Sequence, residues 1–276
     1  MKPFLGVDQT TDKKNEQFNG SEFLVQTLSA PLTEALAASS EKAEQTIEKS
    51  KLPLPLRIIQ YACGVASLVI ISGILKSDVS FAQGYQNTPV LYWVAGICAV
   101  VWLILWLCGK HKSKAVLGTD ESEQTFAYLD GVTDAAYAEL GVPADAETVD
   151  VLAFFYKVKD DDIRICEKGM AQYLNPEFRA FADSENLYLV NLDGKYAFPL
   201  TSVVQLHTVN KHIRIAGWNK DEKFNKGIYK QYKLTNDKHG CIHCRCYHIL
   251  EINHNNEAWG IYIPSYELPV FEKLLK

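Results

Sequence analysis

A chain of 276 residues with 28 basic and 33 acidic side chains carries a formal net charge of −5, and its hydrophobic content of 47% is that of an ordinary globular protein. An acidic chain without a continuous basic surface cannot release counterions from a phosphate backbone, which excludes nucleic acid as a partner. Seven cysteines, an odd number, with Cys63, Cys98 and Cys108 inside or beside apolar runs, exclude the disulfide framework of a small secreted domain and fit reduced thiols.

Residues 1–28 mix charge, Asn, Gln and Gly without a period and predict a largely disordered N-terminal segment. Pro31 suits a first helical turn, and Leu32, Leu36, Ala43 and Ile47 follow at helical spacing, so a cytosolic helix and linker is expected over 29–56. Pro53 and Pro55 stop it, and Glu34, Glu41, Glu44 and Glu48 make it a solvated connector.

Between 57 and 110 the pattern changes. Residues 58–75 carry no charge and residues 90–109 none either, lengths that span roughly 27 and 30 Å as helices, so both are predicted to cross a membrane. Residues 77–88 form the outer loop. Lys49, Lys51 and Arg57 precede the first span and Lys110, Lys112 and Lys114 follow the second, against Lys76 alone between them. That bias predicts an integral protein of the plasma membrane with both termini cytosolic, Tyr92 and Trp93 at the outer interface and Trp106 near the inner one. Ala62 with Ala66, and Ala95 with Ala99, permit close helix contact, so a homo-oligomer formed through the hairpin stays open.

Residues 111–148 are expected to be a linker with a short helix at 133–140, ended by Gly141 and Pro143. From 149 the period becomes two. Runs rich in β-branched and aromatic residues at 149–158, 163–166, 187–191, 195–198, 203–209, 212–216, 228–235, 241–252 and 258–263 predict strands of a β-rich cytosolic domain covering 149–276. Asp193 and Gly194 mark a tight hairpin, and 160–162 and 253–256 mark further turns. Leu268, Phe271, Leu274 and Leu275 then line one side of a closing helix after Pro264. The fold class is therefore a membrane-anchored α+β chain: a two-helix transmembrane hairpin, then a β-rich domain with a C-terminal capping helix.

Leu187 to Val190, the Pro199-Leu200-Thr201-Ser202-Val203 run entering a strand, the later hairpins and the final helix resemble the pleckstrin-homology-like group, including the GRAM and YcxB-like domains. The resemblance covers roughly 170–276. It implies a bent sheet or barrel capped by a helix, with no catalytic motif, and a hairpin of the kind that such domains use to bind lipid.

The chemistry-bearing residues are sparse. No phosphate-binding glycine loop, Gly-x-Ser-x-Gly elbow or metalloprotease His-Glu pair occurs, so no catalytic residue and no cofactor is assigned and no enzymatic activity is expected. His239, Cys241, His243, Cys244, Cys246 and His248 include one Cys-x-x-Cys spacing. Strand alternation puts Ile242, Cys244, Cys246, His248, Leu250 and Ile252 on one face that reads as core, and no residue is assigned to a metal. Charge is more informative. Residues 120–200 hold six basic and seventeen acidic side chains, whereas 211–238 hold eight and three.

Lys211, Arg214, Lys220, Lys223, Lys226 and Lys230 surround Trp218, and these seven residues form the expected ligand-binding set. The expectation is a membrane-tethered module that recognises a protein partner or an anionic lipid headgroup. A metal or redox sensor built on 239–248, and a structural subunit of a membrane complex, are the alternatives.

Overall fold

The computed structural model describes residues 1–8, 17–18, 21–76, 81–159, 162–166, 172–216 and 226–276. Two compact units divide the chain: Met1–Ser29 together with Ala135–Lys276, and Ala30–Asp134. The fold is α+β, with two long apolar helices followed by a β-rich region and a C-terminal helix.

In chain order, short strands β1 (Lys2–Pro3), β2 (Gly6–Asp8), β3 (Gln17–Phe18) and β4 (Leu24–Gln26) come first. Helices α1 (Ala30–Ser50), α2 (Leu54–Lys76), α3 (Phe81–Asn87), α4 (Pro89–Leu117) and α5 (Asp120–Glu139) follow. Strands β5 (Glu147–Asp150), β6 (Phe154–Lys159), β7 (Asp162–Ile165), β8 (Glu177–Ala182), β9 (Asn186–Asn191), β10 (Gly194–Pro199), β11 (Val203–Val209) and β12 (Ile213–Ile215) lead to helix α6 (Lys226–Gln231). Strands β13 (Thr235–Asn236), β14 (Ile242–Cys244), β15 (Tyr247–His254) and β16 (Glu257–Pro264) and helix α7 (Leu268–Leu274) complete it.

In the unit Ala30–Asp134, α2 and α4 are each long and apolar enough to cross a membrane, and most of their side chains point outward, away from any protein contact. Pro89 opens α4, where its missing N–H is not needed. The two helices pack through small residues: Ser67 Oγ donates to the Ala95 carbonyl at 3.3 Å, and Gly64 leaves room for the Trp102 ring. Of the expected small pairs, Ala95 is buried in this contact while Ala62 is exposed. Helix α1 also packs on α4, and its buried residues are Ser39, Ala43 and Ser50, so of the Leu32-Leu36-Ala43-Ile47 stripe only Ala43 is buried, and Ile47 stays exposed. The expected 111–148 linker is mostly helical: α4 runs on to Leu117 and α5 fills 120–139.

The other unit has two hydrophobic cores on either side of one sheet. That sheet has the order β1-β16-β15-β11, with β1 parallel to β16 and the rest antiparallel. Along β15 and β16, Leu250, Ile252, Trp259, Ile261 and Ile263 enter the first core, against the five-stranded sheet β4-β10-β9-β8-β5 and Phe271 of α7. Tyr247, Ile249 and Tyr262 point the other way into the second core, with Phe154 and Tyr156 of β6 and Ile213 and Ile215 of β12. A sheet covered on both faces has apolar residues at successive positions, which explains why 247–252 and 258–263 do not alternate cleanly with polar ones.

Residues 1–28 depart from the sequence expectation. Phe4 and Phe23 are fully enclosed in the first core, where Phe4 meets Tyr196 and Phe198 edge-on at 5.3 and 5.2 Å. Strands β1 and β4 pair with β16 and β10. These strands are two or three residues long and pair only with distant segments, so they leave no local period to detect.

Further expectations are corrected. The 228–235 run forms α6 and the short β13, because Ile228 and Tyr232 lie one helical turn apart and both pack on the second core. The 149–158 and 241–252 runs each break into two strands. Strand β8, with alanines in place of β-branched residues, was not anticipated. The β9–β10 hairpin exists, but its turn residues are Leu192 and Asp193; Gly194 pairs with Asn191, whose side-chain oxygen accepts from the amides of Asp193 and Gly194 at 3.0 and 3.2 Å. Asn255 and Asn256, with φ of 53° and 62°, make the β15–β16 turn, the left-handed geometry that asparagine tolerates. The 160–161 part of a predicted turn lies outside the described residues.

Candidate functional site

Lys211 precedes β12 and is exposed, Arg214 lies within β12 and is half-buried, and Lys230 is exposed on α6. Trp218, Lys220 and Lys223 lie outside the described residues, as does the side chain of Lys226. The structure therefore places three side chains of the expected binding set around β12 and α6.

Strand β14 is the middle of a three-stranded sheet, β12-β14-β13, in which His243 is opposite Arg214 on one side and Thr235 on the other. Alternation along β14 turns His243 outward and Ile242 and Cys244 into the second core. His212, two residues before Arg214, shares the outward face. His243 Nδ1 lies 3.1 Å from His212 Nε2, with the rings 5.0 Å apart between centroids. His243 Nε2 lies 3.2 Å from Asp237 Oδ2, and Arg214 Nε approaches the same oxygen at 3.9 Å.

Asp237 is fixed by the turn after β13: its Oδ1 accepts from the amides of His239 and Cys241 at 2.7 and 3.1 Å. Partial burial alone would raise its carboxyl, but these two bonds and the His243 ring outweigh it and hold the group down at about 2. A carboxylate at neutral pH can only accept, so His243 donates to it from Nε2, and of His243 Nδ1 and His212 Nε2 one donates and the other accepts. The result is a connected chain, Asp237 to His243 to His212.

The cysteines of the 239–248 cluster are arranged differently. Cys244 is fully enclosed, and burial pushes its thiol up to about 11; burial also raises Cys241. His248 is buried with Nδ1 3.0 Å from Thr208 Oγ1, and burial lowers its pKa. Among the described residues, no three His, Cys, Asp or Glu side chains converge as a metal-holding group. Protonated buried thiols are poor nucleophiles and poor metal ligands. Cys244 therefore serves packing on the inner side of β14, while the polar chemistry of the cluster lies on the other.

The chain matches no protein-family model, no curated protein and no solved structure. The site is thus read from its own groups. Sequence inspection missed the His212–His243–Asp237 chain because His212 is far from the other two in sequence; the only local signal is the i, i+2 relation of His212 to Arg214 on a strand.

A separate apolar hollow of about 560 Å³ lies in the helical unit, lined by Ile71, Ile74, Leu75, Tyr92 and Trp93 among others. Among the described residues it has no charged lining group.

Proposed function

We propose that the protein is a membrane-anchored module with a pleckstrin-homology-like domain that recognises anionic lipid headgroups at the bilayer surface. The single observation that carries this reading is the chain order of the two units. Residues 1–29 and 135–276 share one core, so the segment between them must leave that unit and return to it. Two membrane-crossing helices satisfy this, because an even number of crossings brings the chain back to the starting side. Ser29 marks the exit and α5 the return, and they adjoin: the Ser29 amide donates to Glu139 Oε1 at 2.6 Å.

The order of elements supports the resemblance. Over 170–276 the antiparallel strands β8, β9 and β10, then β11, β15 and β16, and a closing helix follow the plan it implies, with β5, β6, β7 and the three-stranded sheet as additions. The basic bias of Lys/Arg around the spans favours the cytosolic leaflet, where each cation near an anionic surface contributes about 1 kcal/mol. The local excess of five over 211–238 is then enough to orient a domain that its anchor already holds at the surface.

The test uses residues 1–29 joined through a short linker to 135–276, sedimented with neutral and anionic vesicles at low and high salt. Salt-sensitive binding to anionic vesicles, removed by K220E/K223E/K226E, supports the lipid reading. Absence of binding to both vesicle types overturns it and directs the search to a protein partner, by crosslinking of the full chain in cells.

A further inference from the structure

The outward face of β14 presents two imidazole nitrogens to each other, and this geometry is independent of the lipid reading. We infer that His212 Nε2 and His243 Nδ1 form a binding site for a divalent cation that prefers imidazole, of the zinc and nickel class. Two nitrogen ligands at about 2.0–2.1 Å from a zinc ion are about 3.3 Å apart at a tetrahedral angle and about 2.9 Å apart at a right angle. The observed separation of 3.1 Å falls between these values. With His243 protonated on Nε2 and His212 on Nδ1, both facing nitrogens offer lone pairs, and rotation of the two rings aims them at a common point beside the line that joins them.

The support around the pair is that of a metal site. His243 sits in the middle strand of its sheet, paired on both sides, which fixes the ring. Its remote Nε2 donates to Asp237, the carboxylate–histidine arrangement that orients a ligating imidazole and raises its basicity. Asp237 is itself held by two backbone amides. His212 is exposed, so the ion has an open approach and water can complete its coordination.

The opposing term is charge. Arg214 stands 3.9 Å from Asp237, and Lys211 and Lys238 adjoin the site in sequence, so the carboxylate offsets only part of the local positive charge. A two-imidazole site in such surroundings binds reversibly rather than as a closed structural site. It selects against magnesium and calcium, which seek several oxygen ligands. The consequence is mechanical. The ion would tie the residue before β12 to β14.

The experiment is calorimetric titration of Zn²⁺, and separately Ni²⁺, into the full chain, purified in detergent without a polyhistidine tag, stripped with chelator and kept reduced. The variants are His212→Gln, His243→Gln, Asp237→Asn and, as a neighbouring control, His239→Gln. One ion per chain is expected, with affinity reduced at least about tenfold by either ligand substitution and about 10–100-fold by Asp237→Asn, and unchanged in His239→Gln. His212→Gln changes an exposed side chain, so it reads the site even if the other variants disturb the sheet. Absence of binding to wild-type protein at millimolar ion overturns the inference. So does binding that survives His212→Gln unchanged, which would place the ion on cysteines or elsewhere.

Discussion

The fusion of residues 1–29 to 135–276 makes the contribution of the N-terminal strands measurable. Phe4 is fully enclosed and touches Phe178, Tyr196 and Phe198, with ring centroids 6.2, 5.3 and 5.2 Å away. Replacing a buried Phe by Ala removes its transfer free energy and leaves a cavity, at a cost of about 3–5 kcal/mol. A domain of this size has a total stability of about 5–15 kcal/mol, so the loss is a large part of the whole. With a urea slope of about 2 kcal/mol/M, Phe4→Ala should lower the unfolding midpoint by about 2 M without changing the slope. Circular dichroism in urea reads this directly. Residues 135–276 alone, lacking Phe4, Phe23, β1 and β4, should show no cooperative transition. A midpoint shift under about 0.5 M, the size of a surface substitution, would refute the placement of Phe4 in the core, and so would a cooperative transition in 135–276 alone.

Other outcomes follow from single groups. Asn256→Ala should destabilise the same unit by about 1 kcal/mol and Asn256→Gly should not, because the turn needs a positive φ; paired urea curves check this. Burial depresses the His248 pKa below 6.5, so the unfolded chain takes up a proton that the folded one does not. Stability should therefore be full above about pH 6.5 and fall as the pH drops below it, a dependence that His248→Gln removes from urea midpoints measured at several pH values. Asp237 acts in the same direction at lower pH: its contribution is present above 3.8 and lost as the pH falls toward about 2. Iodoacetamide applied to the native chain should leave Cys244 unmodified while labelling it rapidly in urea, as mass spectrometry of the digest would show.

The long features were legible in the sequence and the short ones were not. Uncharged runs near 58–75 and 90–109 announce α2 and α4 because a helix of that length needs no partner to reveal its character. Pro264 and the 268–275 spacing likewise announce α7, and Gly141, with φ of +70°, ends the last turn of α5 by letting the Val142 amide reach the Tyr137 carbonyl at 3.0 Å. By contrast, β1 owes its existence to β16, and α6 hides behind aromatic and β-branched residues that score as strand. Charge counting drew attention to Lys211, Arg214 and Lys230, which lie around β12 and α6, while attention to the Cys-x-x-Cys spacing led to the buried side of β14 and away from His243's partner.

The pairing of β1 with β16 also fixes an order of events during synthesis. Lys2 and Pro3 are made well before their partners Trp259 and Gly260, with α2 and α4 between them. The domain cannot close until β16 has left the ribosome, by which time α2 and α4 have long been released. Insertion of the helices, where it occurs, thus precedes closure, and no finished domain has to be opened for it. A transcript truncated ahead of β16 would yield a chain with Phe4, Phe23 and both cores uncovered, a substrate for proteases that the folded domain ceases to be once β1 and β16 pair.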